Sequence, residues 1–442
     1  MKPNSSAKND DKMLWRIHHW AGLYCGILIA ILSITGALAV FIPEIDFFIQ
    51  KQYYSVSSSD PNEFRIGKSI ATAQKQYPDM EGLIIDLPDQ PGQVAGLSFY
   101  VGGVKKLDLQ RYYFFVDPGK DAIVGTRNQQ NSLANYMRQM HVRLYEGYWG
   151  RQLVGLGGIA LLIVAISGLL IYSNFMKRQP FPKVRKKKGM RILMADWHKL
   201  LGISALAFNL IIAITGAWLG LQPKIMSWFD IKAPNNFKAE IITSPEEDKK
   251  TIIHWESLLG AAKKEFPDLA PKGISVSGDG SSSITFYGSV KGKAYERNAN
   301  LLVLSKTDLK PIHKYDVREA PFMHKFYYIQ EALHFGDFGG LGLKILYFIL
   351  GLTSGFLSIS GFVVYLYRMN NKKKKRFSPL KTTFIYCIAI TLTLIALALI
   401  SLFMGYNKAA LISAILINGT IIIFVLYTLI KYLRQKLNPS LL

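Results

Sequence analysis

Apolar residues in this chain come in long runs separated by polar stretches, and the lengths of the runs predict the architecture. Six runs approach or exceed the roughly 20 residues that a helix needs to cross a bilayer. They are Trp20–Phe41, Leu153–Tyr172, Leu200–Leu221, Leu341–Leu366, Thr383–Met404 and Ala409–Ile430. A soluble core seldom needs so many uninterrupted stretches of this length. Two long polar segments, 44–150 and 222–340, carry a different pattern: an amphipathic helix followed by alternating strands.

The two polar segments are copies of one plan. The first reads Ala73-Gln-Lys-Gln-Tyr77-Pro78-Asp79, then Gly82-Leu-Ile-Ile-Asp and Gly96-Leu-Ser-Phe-Tyr100. The second reads Ala262-Lys-Lys-Glu-Phe266-Pro267-Asp268, then Gly273-Ile-Ser-Val-Ser and Ser283-Ile-Thr-Phe-Tyr287. In each the proline stops the helix, so each segment predicts a small α+β domain with one helix on a short antiparallel sheet. The apolar runs repeat too. His18 and His198 each precede a glycine (Gly22, Gly202) by four residues and a Thr-Gly pair (Thr35-Gly36, Thr215-Gly216) by seventeen. His141 and His334 each precede a Ser-Gly pair (Ser167-Gly168, Ser360-Gly361) by 26. The unit is helix, outer domain, helix, present twice in tandem. The last two runs stand outside it and predict a helical hairpin.

The predicted fold is therefore a mainly α membrane protein of six spans with two α+β extracytoplasmic domains. Its expected boundaries are 1–43 (N-terminus and first span), 44–150 (first outer domain), 151–173 (second span), 174–197 (basic loop) and 198–221 (third span). They continue as 222–340 (second outer domain), 341–367 (fourth span), 368–382 (basic loop) and 383–442 (hairpin and tail).

Charge gives the topology. The formal net charge is +23, which invites a nucleic-acid reading, but position argues against it. Lys177–Arg191 holds eight basic residues and Arg368–Lys381 seven, with no acidic residue in either. Together with both termini these short segments account for nearly all of the excess, and all flank spans on alternate sides. This is the positive-inside pattern, which places both termini and both basic loops in the cytoplasm. Membrane lipid is the expected partner of this charge; nucleic acid is not. The first run is expected to remain as an anchor even though Ala37-Leu38-Ala39 has the look of a signal-peptidase site. Two cysteines, Cys25 and Cys387, sit inside separate runs and form no CxxC, so neither a disulfide framework nor a thiolate metal site is expected.

Histidine carries the candidate chemistry. Ionisable residues near a membrane core are costly and are functional candidates for that reason. His18 and His198 lie at the cytoplasmic ends of spans one and three, His141 and His334 at the outer ends of spans two and four. An interfacial histidine is often no more than an amphipathic residue at headgroup level, but four at repeat-matched places favour a shared ligand role. Facing helices build cofactor sites in bundle interiors this way. Two neutral imidazoles and broad apolar walls suit a b-type haem, with Gly22, Gly202, Gly155 and Gly351 as places where a flat ring can approach the backbone. No CxxCH occurs, so such a haem would be non-covalent. From His141 to Tyr172 is longer than a bilayer core if wholly helical. The glycines at 147 and 150, and at 336, 339 and 340, are expected to break these helices and leave the outer histidines on interfacial segments. His19, with no repeat partner, reads as a surface or propionate contact, His324 as structural, and His254 and His313 as solvated. His18, His19, Asp196 and His198 are a weaker candidate zinc or non-haem iron set. No catalytic triad, P-loop or dinucleotide fingerprint is present.

These residues resemble a known family. His18-His-Trp20-Ala-Gly22…Thr35-Gly36, Met140-His141-x-x-Leu144…Gly150-Arg151-x-Leu153, Trp197-His198-x-x-Leu201-Gly202 and Leu333-His334-Phe-Gly336-x-Phe-Gly339-Gly340 resemble the PepSY-associated transmembrane family of bacterial iron-regulated membrane proteins. The resemblance covers about residues 14–368. It implies an inner-membrane protein with two haem b groups, His18 and His198 ligating the inner one and His141 and His334 the outer. It further implies an oxidoreductase that passes electrons to ferric siderophores in the periplasm, and outer segments that are PepSY-like domains. No flavoprotein module follows, so the electron donor would be separate, a quinol or a cytoplasmic reductase. Two rival readings stand beside this one: a non-redox, membrane-anchored PepSY ligand-binding or regulatory protein, and a transporter.

Overall fold

In a computed structural model, residues 5–54, 64–88, 93–101, 110–176, 183–250, 253, 255–290, 297–373 and 378–437 are described. His254 lies outside them. The chain starts with helices α1 (Ser5–Tyr24), α2 (Gly26–Ala39), α3 (Ile42–Ile49), α4 (Lys51–Tyr54) and α5 (Gly67–Gln76). Strands β1 (Glu81–Asp86), β2 (Ala95–Val101), β3 (Gln110–Asp117) and β4 (Ala122–Asn128) follow, then α6 (Leu133–Arg143) and α7 (Gly147–Met176). The second copy begins with α8 (Met190–Ser204), α9 (Leu206–Trp228), α10 (Pro245–Lys250) and α11 (Trp255–Glu265). It continues through β5 (Leu269–Val276), β6 (Ser283–Val290), β7 (Asn300–Ser305) and β8 (Pro311–Tyr315) to α12 (Phe322–Phe335) and α13 (Gly340–Lys373). Helices α14 (Pro379–Met404) and α15 (Tyr406–Leu437) close the chain.

Among the described residues, four helical stretches are long and apolar enough to cross a membrane: Gly147–Tyr172, Leu206–Trp228, Asp337–Asn370 and Pro379–Met404. Lys12–Tyr24 and Gly26–Ala39 make a fifth if this pair, bent by 63°, is one span. The bend falls at Cys25–Gly26, where glycine weakens the helix. The break between α8 and α9, at Ala205, lies at the matched place: each is seven residues past its histidine. Large apolar side chains such as Leu156, Ile163, Leu170, Phe384, Leu392 and Phe403 point outward from these helices. That is a costly surface in water and an ordinary one in lipid.

The chain divides into two compact units, 1–36 with 131–206 and 352–442, and 37–130 with 207–351. The second unit holds all the strands. Helices α5 and α11 are amphipathic, end where expected at Tyr77-Pro78 and Phe266-Pro267, and lie on one face of the sheet. Ile66, Ile70, Ala73, Leu258, Ala262 and Phe266 there bury Ile85, Leu97, Phe99, Phe114, Ile274, Phe286, Leu302 and Leu304, most of them completely.

The strand pattern predicts a separate sheet for each outer segment. Instead all eight strands form one antiparallel sheet in the order β4-β3-β2-β1-β5-β6-β7-β8. The copies join through β1 and β5, with Ile84 opposite Ser275, Ile85 opposite Ile274 and Asp86 opposite Gly273. Each copy alone would leave its first strand as an open edge. Pairing the two edges satisfies both rows of backbone groups and merges the cores.

Candidate functional site

Each repeat-matched histidine finds a partner of the same kind. His18 Nδ1 is 3.1 Å from Ser167 Oγ and 3.1 Å from the Val164 carbonyl. His198 Nδ1 is 3.0 Å from Ser360 Oγ. His141 Nδ1 is 3.2 Å from Thr35 Oγ1, and His334 Nδ1 is 2.9 Å from Thr215 Oγ1. The four hydroxyls belong to the Thr-Gly and Ser-Gly pairs that mark the repeat. The pairing is reciprocal within a copy: the histidine before the first helix meets the Ser-Gly of the second, and the histidine before the second meets the Thr-Gly of the first.

The hydrogen bonds favour one protonation of the rings. A carbonyl can only accept, so Nδ1 of His18 donates to Val164. The Leu32 carbonyl stands in the corresponding place beside His141, and that of Leu357 beside His198. The hydroxyls give their own protons elsewhere. Thr35 donates to the Ile31 carbonyl at 2.7 Å, Thr215 to Ile211 at 2.7 Å, Ser167 to Ile163 at 2.6 Å and Ser360 to Leu357 at 3.0 Å. Each hydroxyl oxygen therefore accepts from an Nδ1–H, and the lone pair of each ring is on Nε2. A metal-binding histidine needs this tautomer, and an acceptor on the far nitrogen both orients the ring and raises its basicity.

The glycine makes room for the ring in three of the four pairs. A Cβ added at Gly36 would stand 2.7 Å from His141 Cε1, and one at Gly168 would stand 3.1 Å from His18 Cε1. At Gly216 it would stand 3.3 Å from His334 Cε1, and at Gly361 3.5 Å from His198 Cε1. The glycines expected to admit a flat ring behave differently: a Cβ at Gly22 or Gly202 would meet only Val164 at 3.9 Å or Leu357 at 3.8 Å.

His18 and His198 come together, with ring centroids 6.2 Å apart and planes at 88°. With metal–imidazole bonds of about 2 Å and about 1 Å from nitrogen to ring centre, two rings sharing one iron stand about 6 Å apart. The spacing, the tautomers and the neutral donor set all fit an axial pair. His141 ends α6, in the same unit as His18 and His198; His334 ends α12, in the other unit. Helix breaks follow both, as the glycines predicted. Leu144 and Tyr145 take left-handed backbone after α6, and Gly336 does so after α12.

The remaining described histidines have local contacts. His19 packs against Trp20 and Tyr365, its ring 5.6 and 5.5 Å from theirs. His324 Nδ1 meets Tyr315 Oη at 3.4 Å. His313 reads from the sequence as solvated, but it is half-buried and stacks flat on Phe237 at 4.2 Å. Asp196 is no ligand to a zinc-like set. Its buried carboxylate takes two hydrogen bonds of 2.8 Å from the Arg185 guanidinium and pairs with Lys199 at 3.0 Å. Arg185 above all holds it below the usual carboxylate range. Among the described residues no group of three or more His, Cys, Asp or Glu side chains could hold a metal ion.

Known proteins share parts of this construction. A protein of Pseudomonas aeruginosa described as uncharacterized is 25% identical over 246 residues, which is 52% of this chain and 62% of the relative. The chain thus matches under two thirds of that relative's length. The family model described as the PepSY-associated TM region matches residues 15–368, a stretch that contains all four histidines, all four hydroxyl–glycine pairs and the whole sheet. The chain is a member of the PepSY-associated TM family.

Proposed function

We propose that this protein is a di-haem b electron-transfer protein of the bacterial inner membrane that reduces ferric siderophores, or another Fe(III) chelate, on the periplasmic side. The observation that carries the reading is the fourfold construction of histidine, hydroxyl and glycine, with His18 and His198 at the spacing of an axial pair. His18 and His198 are the ligands of the inner haem in this reading. His141 and His334 have the same kind of hydroxyl partner, and the repeat implies a haem-ligand role for each. Haem b, when bound, supplies one-electron chemistry over a range of potentials set by its ligands and their hydrogen bonds.

The chain's own residues supply the rest. Thr35, Ser167, Thr215 and Ser360 orient the imidazoles. The apolar helices exclude water. The basic loops hold both termini in the cytoplasm, with α15 as a sixth span. The two copies of the helix-and-strand plan act as PepSY-like domains on the periplasmic side. Electrons enter from a quinol or a cytoplasmic reductase and leave to Fe(III), whose chelate then holds the softer Fe(II) less firmly.

The test is an absorption spectrum of the purified protein from haem-replete cells. A reduced-minus-oxidised b-type spectrum is expected, with about half its amplitude lost in His18→Ala and in His198→Ala, and no further loss in the double variant. A colourless, folded protein overturns the reading and favours a non-redox ligand-binding module.

A further inference from the structure

The last two helices lie outside the duplicated part and outside residues 15–368. We infer that α14 and α15 clamp the helix break behind His141, and that Tyr145, Ser401 and Ser413 are positioning residues for that histidine. The importance of the clamp for electron transfer rests on the function proposed above; its existence does not.

The two copies solve the same problem differently. In both, the chain must turn sharply after the outer histidine, at a place where the backbone enters the left-handed region. Both copies enter the long helix on a matched glycine, Gly147 and Gly340, each with φ of 64°, but in the turn before it the second copy uses a glycine, Gly336, with φ of 63°. A glycine adopts this backbone without a Cβ clash. The first copy has Leu144 (φ 49°) and Tyr145 (φ 61°) in succession. For residues with a Cβ this conformation is disfavoured and persists only where the surroundings impose it.

The hairpin supplies those surroundings. Ser413 on α15 donates to the Leu144 carbonyl at 2.6 Å, and Tyr145 Oη is 2.7 Å from Ser401 Oγ on α14. Two further bonds flank the turn: Tyr136 Oη donates to the Leu394 carbonyl at 2.5 Å, and Asn418 Nδ2 to Glu146 Oε1 at 3.0 Å. Around them Leu144, Tyr145, Tyr136, Met140, Leu397 and Ala409 form a buried cluster. Ser401 and Ser413 are buried as well, at 0% and 3% exposure, so their hydroxyls have no bulk water to exchange for these bonds. Met140 in this cluster immediately precedes His141. The hairpin thus grips the last turn of α6 and the turn that follows it. In the second copy the corresponding service comes from within: Tyr347 of α13 donates to the Leu333 carbonyl and lies over Gly336.

The experiment uses the full chain, purified in detergent, with three variants: Ser401→Ala/Ser413→Ala, the same pair with Leu144→Gly, and His141→Ala. Hydrogen exchange is followed in 133–150 and 322–340, and haem is assayed by its b-type difference spectrum and by the low-spin resonances of the oxidised protein. The serine pair is expected to raise exchange in 133–150 by about tenfold or more, with 322–340 unchanged. The low-spin signal that His141→Ala abolishes should shift or weaken while the other holds. Leu144→Gly, which relieves one of the two left-handed residues of the turn, should bring that signal part of the way back toward wild type. A purely structural hairpin would not produce that rescue. Unchanged exchange in 133–150, or equal rises in 133–150 and 322–340, overturns the clamp. If every version is colourless, the haem reading fails while the exchange data still decide the clamp.

Discussion

Gly36 is the tightest of the four glycine–imidazole contacts, and replacing it gives the sharpest test of the site. In Gly36→Ala the new methyl would lie 2.7 Å from Cε1, 3.2 Å from Nδ1 and 3.3 Å from Nε2 of His141. The crowded atom belongs to a rigid ring, so it cannot swing clear as the tip of a long chain would. Ordinary contact begins near 3.4 Å, so the ring must retreat by about 0.7 Å, within the range where packed cores resist added methylenes. The same retreat disturbs the 3.2 Å bond from Nδ1 to Thr35. Weakening that bond and forcing the ring off its rotamer costs about 1–3 kcal/mol, against a helix-propensity gain of up to about 1 kcal/mol for alanine over glycine. The propensity gain is common to the apo and loaded protein, so at about 1.4 kcal/mol per factor of ten the proposed haem should dissociate about 5- to 150-fold more readily from the His141 site. Gly361→Ala is the control: its methyl meets His198 at 3.5 Å, an ordinary contact, so it should keep wild-type haem affinity and gain slightly in thermal stability. Spectrophotometric titration of the apoprotein with haemin reads both. Equal affinity in the two variants, or a larger loss in Gly361→Ala, would show that the glycine is not fitted to the ring.

Other variants report on other parts of the molecule. Thr215→Val keeps the shape but removes the acceptor for His334 Nδ1. If His334 ligates haem as proposed, the less basic imidazole should raise the midpoint potential and lower haem affinity about 10- to 100-fold, and Thr215→Ser should restore both. Asp196, held low mainly by Arg185, contributes stability that is present above about pH 4 and lost as pH falls through its depressed folded value; Asp196→Asn should flatten that acid limb in denaturant unfolding curves. Lys306 and Asp248 form an ion pair at 2% and 0% side-chain exposure. Lys306→Met should destabilise the sheet unit by about 3–5 kcal/mol, because it strands a buried carboxylate, and adding Asp248→Asn should recover much of the loss.

Much of the architecture could be read from the residues because the signals are local. Tyr77-Pro78 and Phe266-Pro267 end their helices by removing an N–H and clashing with the preceding turn, and both ends fall where those prolines put them. Gly336 and Gly340 mark the second helix break because only glycine takes that backbone freely. The first break carries one such mark in Gly147, with φ of 64°, but it begins at Leu144 and Tyr145, which carry none; the hydroxyls that meet those two come from serines 269 and 256 residues further along the chain. The joined sheet was equally hidden. Nothing in Ile84-Ile85-Asp86 distinguishes a strand that ends a sheet from one that meets its own copy.

The histidines and the hydroxyl–glycine pairs were both visible as repeats, but not as partners. Spacing along one helix says where His18 and Thr35 lie on that helix. It does not say that His18 meets Ser167 on the helix that closes the same copy, since that depends on how the helices cross. Once the crossing is known, the matched spacings of seventeen and 26 residues become one constraint. A helix pair can satisfy two histidines reciprocally only if each histidine stands opposite the other helix's hydroxyl, so the two spacings must be kept together. Duplication copied that constraint whole, and all four imidazoles emerge with Nδ1 held and the lone pair on Nε2. A headgroup-level histidine would need no buried acceptor, no particular tautomer and no glycine cut to its ring. The hydroxyl acceptor recurs at all four positions and the close glycine at three of them, at Gly36, Gly168 and Gly216, which favours a ligand role over an interfacial one.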